Sequence, residues 1–341
     1  MPYTGITATI PGGAGGFNPV DNPAIVPMTD LLEAENVIIE DGTWHKLHGV
    51  MAWAVDLPGT PPNNCVDSLM EWHPTLDTQC MASACRTGYL YKSDEATGDL
   101  GYTCLNTVSP VTTTQRSQWI VAGQETAGNP PILVFVNGYN SPGVVQGTED
   151  TMYAMENPST DWSGTGYGPV SGLIHRGRLV GVGGKNAPHR IWFSLASDHE
   201  DFTTTPTTVD IGPGIGRRLV AGVSFQGRLF LWKWPRGIFW LDDSDPTPAN
   251  WVVHQKTRAL GCAFTPNAVL PIDDDVMFLS PDGTFHLLSA ITGDELSGVR
   301  ASSISNALNL DDWIKANIDL TKLNYVSSVW YPGRRLALWG F

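Results

Sequence analysis

Short apolar runs, each bounded by glycine, proline or acidic residues, follow one another along most of this chain. Leu229-Phe-Leu-Trp232 and Val276-Met-Phe-Leu279 are apolar at every position, and the sequence stops on the similar run Leu336-Ala-Leu-Trp-Gly-Phe341. Runs of this length between turn signals predict β-strands. A strand with one wet face alternates apolar and polar residues, whereas one apolar throughout is covered on both faces.

The runs recur at a regular pitch. A glycine or turn leading into aromatic residues occurs at Gly42-Thr-Trp44, Gly88-Tyr-Leu-Tyr91, Gly138-Tyr139, Arg190-Ile-Trp-Phe-Ser194, Gly237-Ile-Phe-Trp-Leu241 and Gly283-Thr-Phe-His-Leu287, at intervals of 46, 50, 52, 47 and 46 residues. A second mark, glycine-arginine before an apolar strand, occurs in Arg176-Gly-Arg-Leu-Val180, Gln226-Gly-Arg-Leu-Phe230 and Pro332-Gly-Arg-Arg-Leu336. From Gly177 to Gly227 is 50 residues, and from Gly227 to Gly333 is 106, about two periods. A repeat of several strands at this pitch predicts an all-β fold, a β-propeller in which each repeat is one blade. The marks predict six or seven blades over 46–341. A two-sheet sandwich, with one wet face per strand, would show clean alternation instead.

Three stretches depart from the repeat. Residues 1–45 predict an extended arm: glycines 12, 13, 15 and 16, then Phe17-Asn-Pro-Val-Asp-Asn-Pro-Ala24, then one short helix from Asp30 to Asn36, with Asp30 as cap and Glu33 three residues on. A strand at Val37-Ile-Ile39 and a turn at Asp41-Gly42 follow. Residues 141–172, rich in Gly, Ser, Thr and Asp, predict a long rim loop anchored by Trp162 and Tyr167. Residues 302–318, with Leu308, Leu310, Trp313 and Ile314 at helical spacing and Asp311 and Asp312 at the start, predict a short helical insertion. The strand ending at Phe341 is expected either to close the ring beside the first blade or to continue into a longer polypeptide.

Composition agrees with strands and turns: 13 Trp, 36 Gly and 25 Pro among 341 residues, 42% of them hydrophobic. The 20 basic residues against 34 acidic ones give a net charge of −14, which opposes tight nucleic-acid binding. The first ten residues lack the basic and apolar segments of a secretory signal, and no run of 18 apolar residues predicts a membrane span. The spacings among Cys65, Cys80, Cys85 and Cys104 (15, 5 and 19) fit no Cys-x2-Cys zinc pairing; with Cys262, they read as structural or free thiols or as a disulfide or metal cluster.

Catalytic motifs are sparse, and neither an enzyme nor a cofactor is expected. Gly222-Val-Ser-Phe-Gln-Gly227 is one residue too long for a hydrolase elbow. Gly212-Pro-Gly-Ile-Gly216 resembles a phosphate loop, but Pro213 removes a donor and no helix follows, which predicts a plain turn. Asp273-Asp-Asp275 predicts a solvated turn, and Asp198-His-Glu-Asp201, although it holds acid–base groups, predicts an exposed loop. Ser280-Pro-Asp-Gly283 before Phe285 partly matches the Asp-box turn of sialidase-type propellers, so a carbohydrate-binding or glycosidase propeller stands as the alternative function.

Two segments carry a family resemblance. Gly16-Phe-Asn-Pro-Val-Asp-Asn-Pro23, Glu33-Ala-Glu-Asn-Val37 and Gly42-Thr-Trp-His-Lys-Leu-His-Gly49 look like the N-terminal signature of phage virion proteins, with Leu47-His48-Gly49 where those have Arg-Pro-Gly. His175-Arg-Gly-Arg-Leu-Val180, His189-Arg-Ile-Trp-Phe-Ser194 and Asp198-His-Glu-Asp-Phe202 are similar to that group's blade motif. The group includes packaged-DNA stabilisation and tail nozzle proteins of short-tailed phages. The resemblance implies a virion component, assembled in the host bacterial cytoplasm as a ring (often a hexamer) at the tail or neck. DNA would pass through it without specific binding. Its arm, through Phe17, Asn18, Asn22, Pro23 and Asn36, would contact a neighbouring subunit or the adaptor on the portal side, ordering on assembly. Asp198 to Phe202 would then be a blade corner.

Overall fold

The computed structural model describes residues 16–17, 30–31, 37–40, 43–46, 66–75, 78–85, 88–94, 101–106, 117–123, 131–163, 166–196, 198–204, 207–291, 303–304 and 310–341. Two small sheets come first: Gly16–Phe17 (β1) pairs in parallel with Asp30–Leu31 (β2), and Val37–Glu40 (β3) pairs with Thr43–Lys46 (β4). Four antiparallel sheets then follow in chain order. The first is Val66–Thr75 (β5), Thr78–Cys85 (β6), Leu90–Asp94 (β7) and Gly101–Cys104 (β8). The second is Gln118–Ala122 (β9), Ile132–Val136 (β10), Gly143–Gln146 (β11) and Tyr153–Ala154 (β12). The third is Ser171–His175 (β13), Arg178–Val182 (β14), Arg190–Phe193 (β15) and Thr207–Asp210 (β16). The fourth is Arg218–Phe225 (β17), Arg228–Trp234 (β18), Ile238–Asp242 (β19) and Val252–Thr257 (β20). Val269–Ile272 (β21), Asp275–Leu279 (β22) and Phe285–Leu287 (β23) make a three-stranded sheet, and Ser327–Tyr331 (β24) with Leu336–Gly340 (β25) a closing hairpin.

The first strand of each sheet packs beside the first strand of the next, in the succession β5, β9, β13, β17, β21 and β24. Later strands are added outward in sequence order. Blades radiating from a shared set of inner strands define the architecture. The chain is an all-β propeller. Among the described residues five sheets have three or four strands, against the six or seven expected, because the last sheet has only two.

Alternate side chains of a strand enter different cores. In β10, Leu133 and Phe135 join Trp72 and Leu90 of the first blade, while Ile132, Val134 and Val136 join Leu179 and Trp192 of the third. In β18, Leu229 and Leu231 pack towards the third blade with Val180 and Ile191, and Phe230 and Trp232 towards the fifth with Phe278. This is why these strands do not alternate: both faces of a blade are buried against its neighbours.

The repeat marks occupy equivalent turns. Gly88, Gly138, Gly237 and Gly283 lie between second and third strands with φ of 85°, 72°, 114° and 83°, a region that favours glycine. Arg176-Gly177 and Gln226-Gly227 turn first strands into second ones, with φ of 47° and 70°, then 49° and 72°. Positive φ at both central residues makes a two-residue turn whose twist matches the strands it joins. Pro332-Gly-Arg334 with Arg335 at φ 52° occupies the same place in the closing hairpin.

Several expectations require correction. Residues 141–172 are not one loop: they hold β11, β12 and a 3-10 turn at Thr160–Trp162, because backbone pairing with β10 turns Gly143–Gln146 into a strand. Trp162 is nevertheless a buried anchor, edge-on to Trp192 and Phe202 at 5.4 and 4.7 Å. Asp30 lies in β2 rather than at a cap, and residues 32–36 of the expected helix lie outside the described residues. Asn18, Asn22, Pro23 and Asn36 lie outside the described residues, and Phe17 is placed in β1. The helical insertion is present as α1, Leu310–Asn317, with Asp311 and Asp312 in its first turn and Ile314 buried. Truncating Trp162 to Ala removes a ring shared by two blades, and the expected loss is about 3–5 kcal/mol of folding stability, read from the urea midpoint.

Candidate functional site

The best-formed polar constellation lies between the third and fourth blades. The Arg176-Gly177 turn carries His175 to the end of β13, and this imidazole is 1% exposed. Its Nδ1 is 2.7 Å from Ser224 Oγ on β17, and its Nε2 is 2.9 Å from Asp243 Oδ2, just after β19. Burial, more than any other influence, lowers the histidine pKa. A neutral ring here donates from Nε2 to the carboxylate and accepts the serine hydroxyl at Nδ1. This is the hydrogen-bond chain of a Ser–His–Asp hydrolase with the ring turned round. Its other contacts are structural: Arg176 lies 3.5 Å from Asp243 Oδ1 and donates to the carbonyls of Asp243 (2.7 Å) and Gly227 (3.0 Å). The adjoining cavity of about 350 Å³ is lined by His175, Asp243 and Trp251, among others, and Ser224 is not part of its wall. The group clasps two blades. These three residues stand 49 and 68 positions apart, so no motif reveals them; the only local signal is a histidine directly before a repeat mark.

The Gly212-Pro-Gly-Ile-Gly216 loop is a turn, with the opposite polarity to a phosphate site. The carbonyls of Gly212 and Ile215 point inward, 2.7 and 2.8 Å from the ammonium of Lys233, which also meets His189 Nδ1 at 2.9 Å. Lys233 is completely buried, and burial lowers its pKa to about 8.

The Asp198–Asp201 tetrad is a blade corner, and it is more buried than expected: His199 and Asp201 are 5% and 6% exposed. His199 Nε2 meets the Gly177 carbonyl at 3.1 Å, Glu200 accepts from the Tyr153 hydroxyl at 2.8 Å, and Asp201 accepts from the backbone N–H groups of Thr203 and Thr204. Burial exceeds the expectation because the corner locks the second and third blades together, with the Phe202 N–H donating to the Asn157 carbonyl. In Ser280-Pro-Asp-Gly283, Asp282 accepts from the Thr284 hydroxyl, which also contacts His286 at 2.8 Å. The group closes the β22–β23 turn. Asp273 and Asp274 form the β21–β22 turn, and Asp273 holds the closing hairpin through Trp330 Nε1 at 2.9 Å and Arg335 at 3.3 Å. Cys80, Cys85, Cys104 and Cys262 are free thiols, and among the described residues no cluster has the makings of a metal site.

Among the described residues, several exposed apolar side chains gather on the closing hairpin at the ring seam. β24 and β25 pair Val329 with Leu338, exposed by 56% and 46%. Tyr331 and Phe341 are half exposed. A cavity of about 770 Å³ separates this face from Leu69 and Met70 of β5 and Trp119 of β9.

No family model and no curated protein matches the chain. Among solved structures it is similar to BBS1N in complex with ARL6DN (11% identity, TM-score 0.37, covering 71% of this chain and 66% of that one). It is also similar to U3-55K (12%, 0.41, 68% and 63%) and to Raptor of Chaetomium thermophilum (9%, 0.40, 67% and 20%). The chain spans less than two thirds of the length of each of these proteins.

The buried basic groups give stability a defined pH dependence. Burial lowers the pKa values of His175, His189, His199 and His286 below 6.5. The unfolded chain then takes up protons that the folded chain refuses, so stability falls as pH drops below about 6.5. Urea midpoints on either side of that pH should show a smaller drop for His175→Gln. Lys233 acts at the other end. From about pH 8 to 10.5 the folded chain has released a proton that the unfolded chain keeps, so stability rises with pH. Lys233→Met should abolish that rise.

Proposed function

We propose that this chain is a structural protein of a bacteriophage virion, a propeller subunit of the tail nozzle or head–tail neck. Assembled in the host bacterial cytoplasm, it forms a ring, hexameric in the resembled group, that is part of the DNA conduit and contacts adaptor or portal-side tail proteins. The observation that carries the proposal is the unfinished sheet at the seam. β24 follows β21 in the ring of inner strands, and the Pro332-Gly-Arg-Arg-Leu336 mark falls at its first turn, which supports counting it as a sixth blade. Among the described residues it has two strands where four blades have four, and Val329 and Leu338 on it are exposed, which in this reading another protein segment covers. The arm of a neighbouring copy, through Phe17, Asn18, Asn22, Pro23 and Asn36, is the occupant in this reading.

Three further observations support it. The segment resembling the phage blade motif folds as one blade, β13 to β16, with Asp198–Phe202 at its corner. The polar clusters described above join blades or close turns, which favours a structural over a catalytic role. A net charge of −14 suits a lumen through which DNA slides without being held.

Light scattering on the purified protein tests the reading. A closed ring weighs several times the 36.9 kDa protomer, and Val329→Asp with Leu338→Asp should return it to protomers. A wild-type monomer with no place in a virion, or tight binding of duplex DNA at physiological salt, would overturn it.

A further inference from the structure

Among the described residues three arginines of this acidic chain pair with an aspartate, while Arg228 stacks on Trp240. Arg190 binds Asp210 at 2.8 Å and Asp161 at 3.3 Å, Arg176 lies by Asp243, and Arg335 by Asp273. Arg217 and Arg218 have no such pair. They enter β17 side by side and stack on aromatic rings instead: Arg217 lies 5.0 Å from the Trp234 ring centre and Arg218 3.8 Å from that of Phe264. Trp234 and Phe264 meet edge to face at 5.4 Å. Among the described residues neither guanidinium has a carboxylate partner, and the influence on Arg218 is burial, which lowers its pKa.

Both arginines line a cavity of about 720 Å³ between the fourth and fifth blades. Its remaining walls are mostly apolar, with Pro235, Pro281 and Leu320 beside the two rings, and Asn324 adds a side-chain amide. A 3-10 segment, Leu320–Tyr325, capped by Asp319 and packed through Leu323 on the core, covers one side. Leu320 comes close to the Gly283 turn, where a Cβ would lie 2.8 Å from its Cδ2, so the cover is seated closely on the fifth blade. The volume suits a small organic ligand.

We propose that this cavity binds an organic anion, with a phosphate or carboxylate head on a flat apolar body. Guanidinium groups stacked by one face on a ring keep their N–H edges free, and those edges match phosphate and carboxylate oxygens two at a time. Stacking holds the side chains in place, so little rotamer freedom remains to be lost on binding. The rings and prolines receive the apolar body. This cavity and the one at the seam share no lining residue.

Calorimetric titration of the full chain with phenyl phosphate, benzoate, inorganic phosphate and phenol tests the proposal. Saturable binding of phenyl phosphate or benzoate is expected, at least about tenfold tighter than inorganic phosphate or phenol. Whichever of the two binds identifies the head group. Arg217→Gln with Arg218→Gln should weaken it at least about tenfold while the urea midpoint shows a folded protein. If the double variant does not fold, Arg217→Gln alone, at an exposed position, should still weaken it severalfold. No saturation by either anion at millimolar concentrations, equal binding of inorganic phosphate, or unchanged affinity in the folded variants would overturn the site.

Discussion

Because the middle blades are covered on both faces, alternate side chains of one strand serve two cores, and the rest of the structure follows from that double burial. β10 is wholly buried, with Leu133 and Phe135 on one side and Ile132, Val134 and Val136 on the other. β18 divides Leu229 and Leu231 from Phe230 and Trp232 in the same way. Such a sheet cannot be stable alone, since both apolar faces would meet water. Neighbouring blades therefore depend on one another, and among the described residues the exposed apolar side chains at the seam are the exception.

Double burial also governs the polar residues. Where a strand turns between two blades, backbone and side-chain groups lose water and must find partners within the protein. His175 meets that demand with Ser224 and Asp243, Asp201 with Thr203 and Thr204, and Lys233 with two loop carbonyls and His189. The His175 group joins two blades, while the Asp201 contacts lie within one turn. Arg217 and Arg218 instead stack on aromatic rings, and both line a cavity.

The repeat was legible in the sequence because a tight turn between twisted strands demands positive φ, and glycine meets that demand most readily. Gly88, Gly138, Gly237 and Gly283 therefore recur at the blade period, as do Gly177 and Gly227. The unbroken apolar run at Leu229–Trp232 likewise announced burial on both faces. Local composition misled where pairing decided the outcome: polar residues 141–172 contribute two strands of the second blade, and Asp30 lies in a strand rather than at a helix cap. The closing sheet was visible as a turn mark and an apolar run, yet nothing in those residues showed that only two strands would pair there.

The sequence by itself thus determined the all-β class, the blade period and the acidic charge, since turn dihedrals, strand burial and ionisation are properties of single residues or near neighbours. Tertiary structure alone decided how the strands group into blades, which histidine meets which carboxylate, and that Arg217 and Arg218 line one cavity. Those outcomes depend on contacts between residues tens of positions apart, as with His175 and Asp243, and only the closed packing of one blade against the next brings them together.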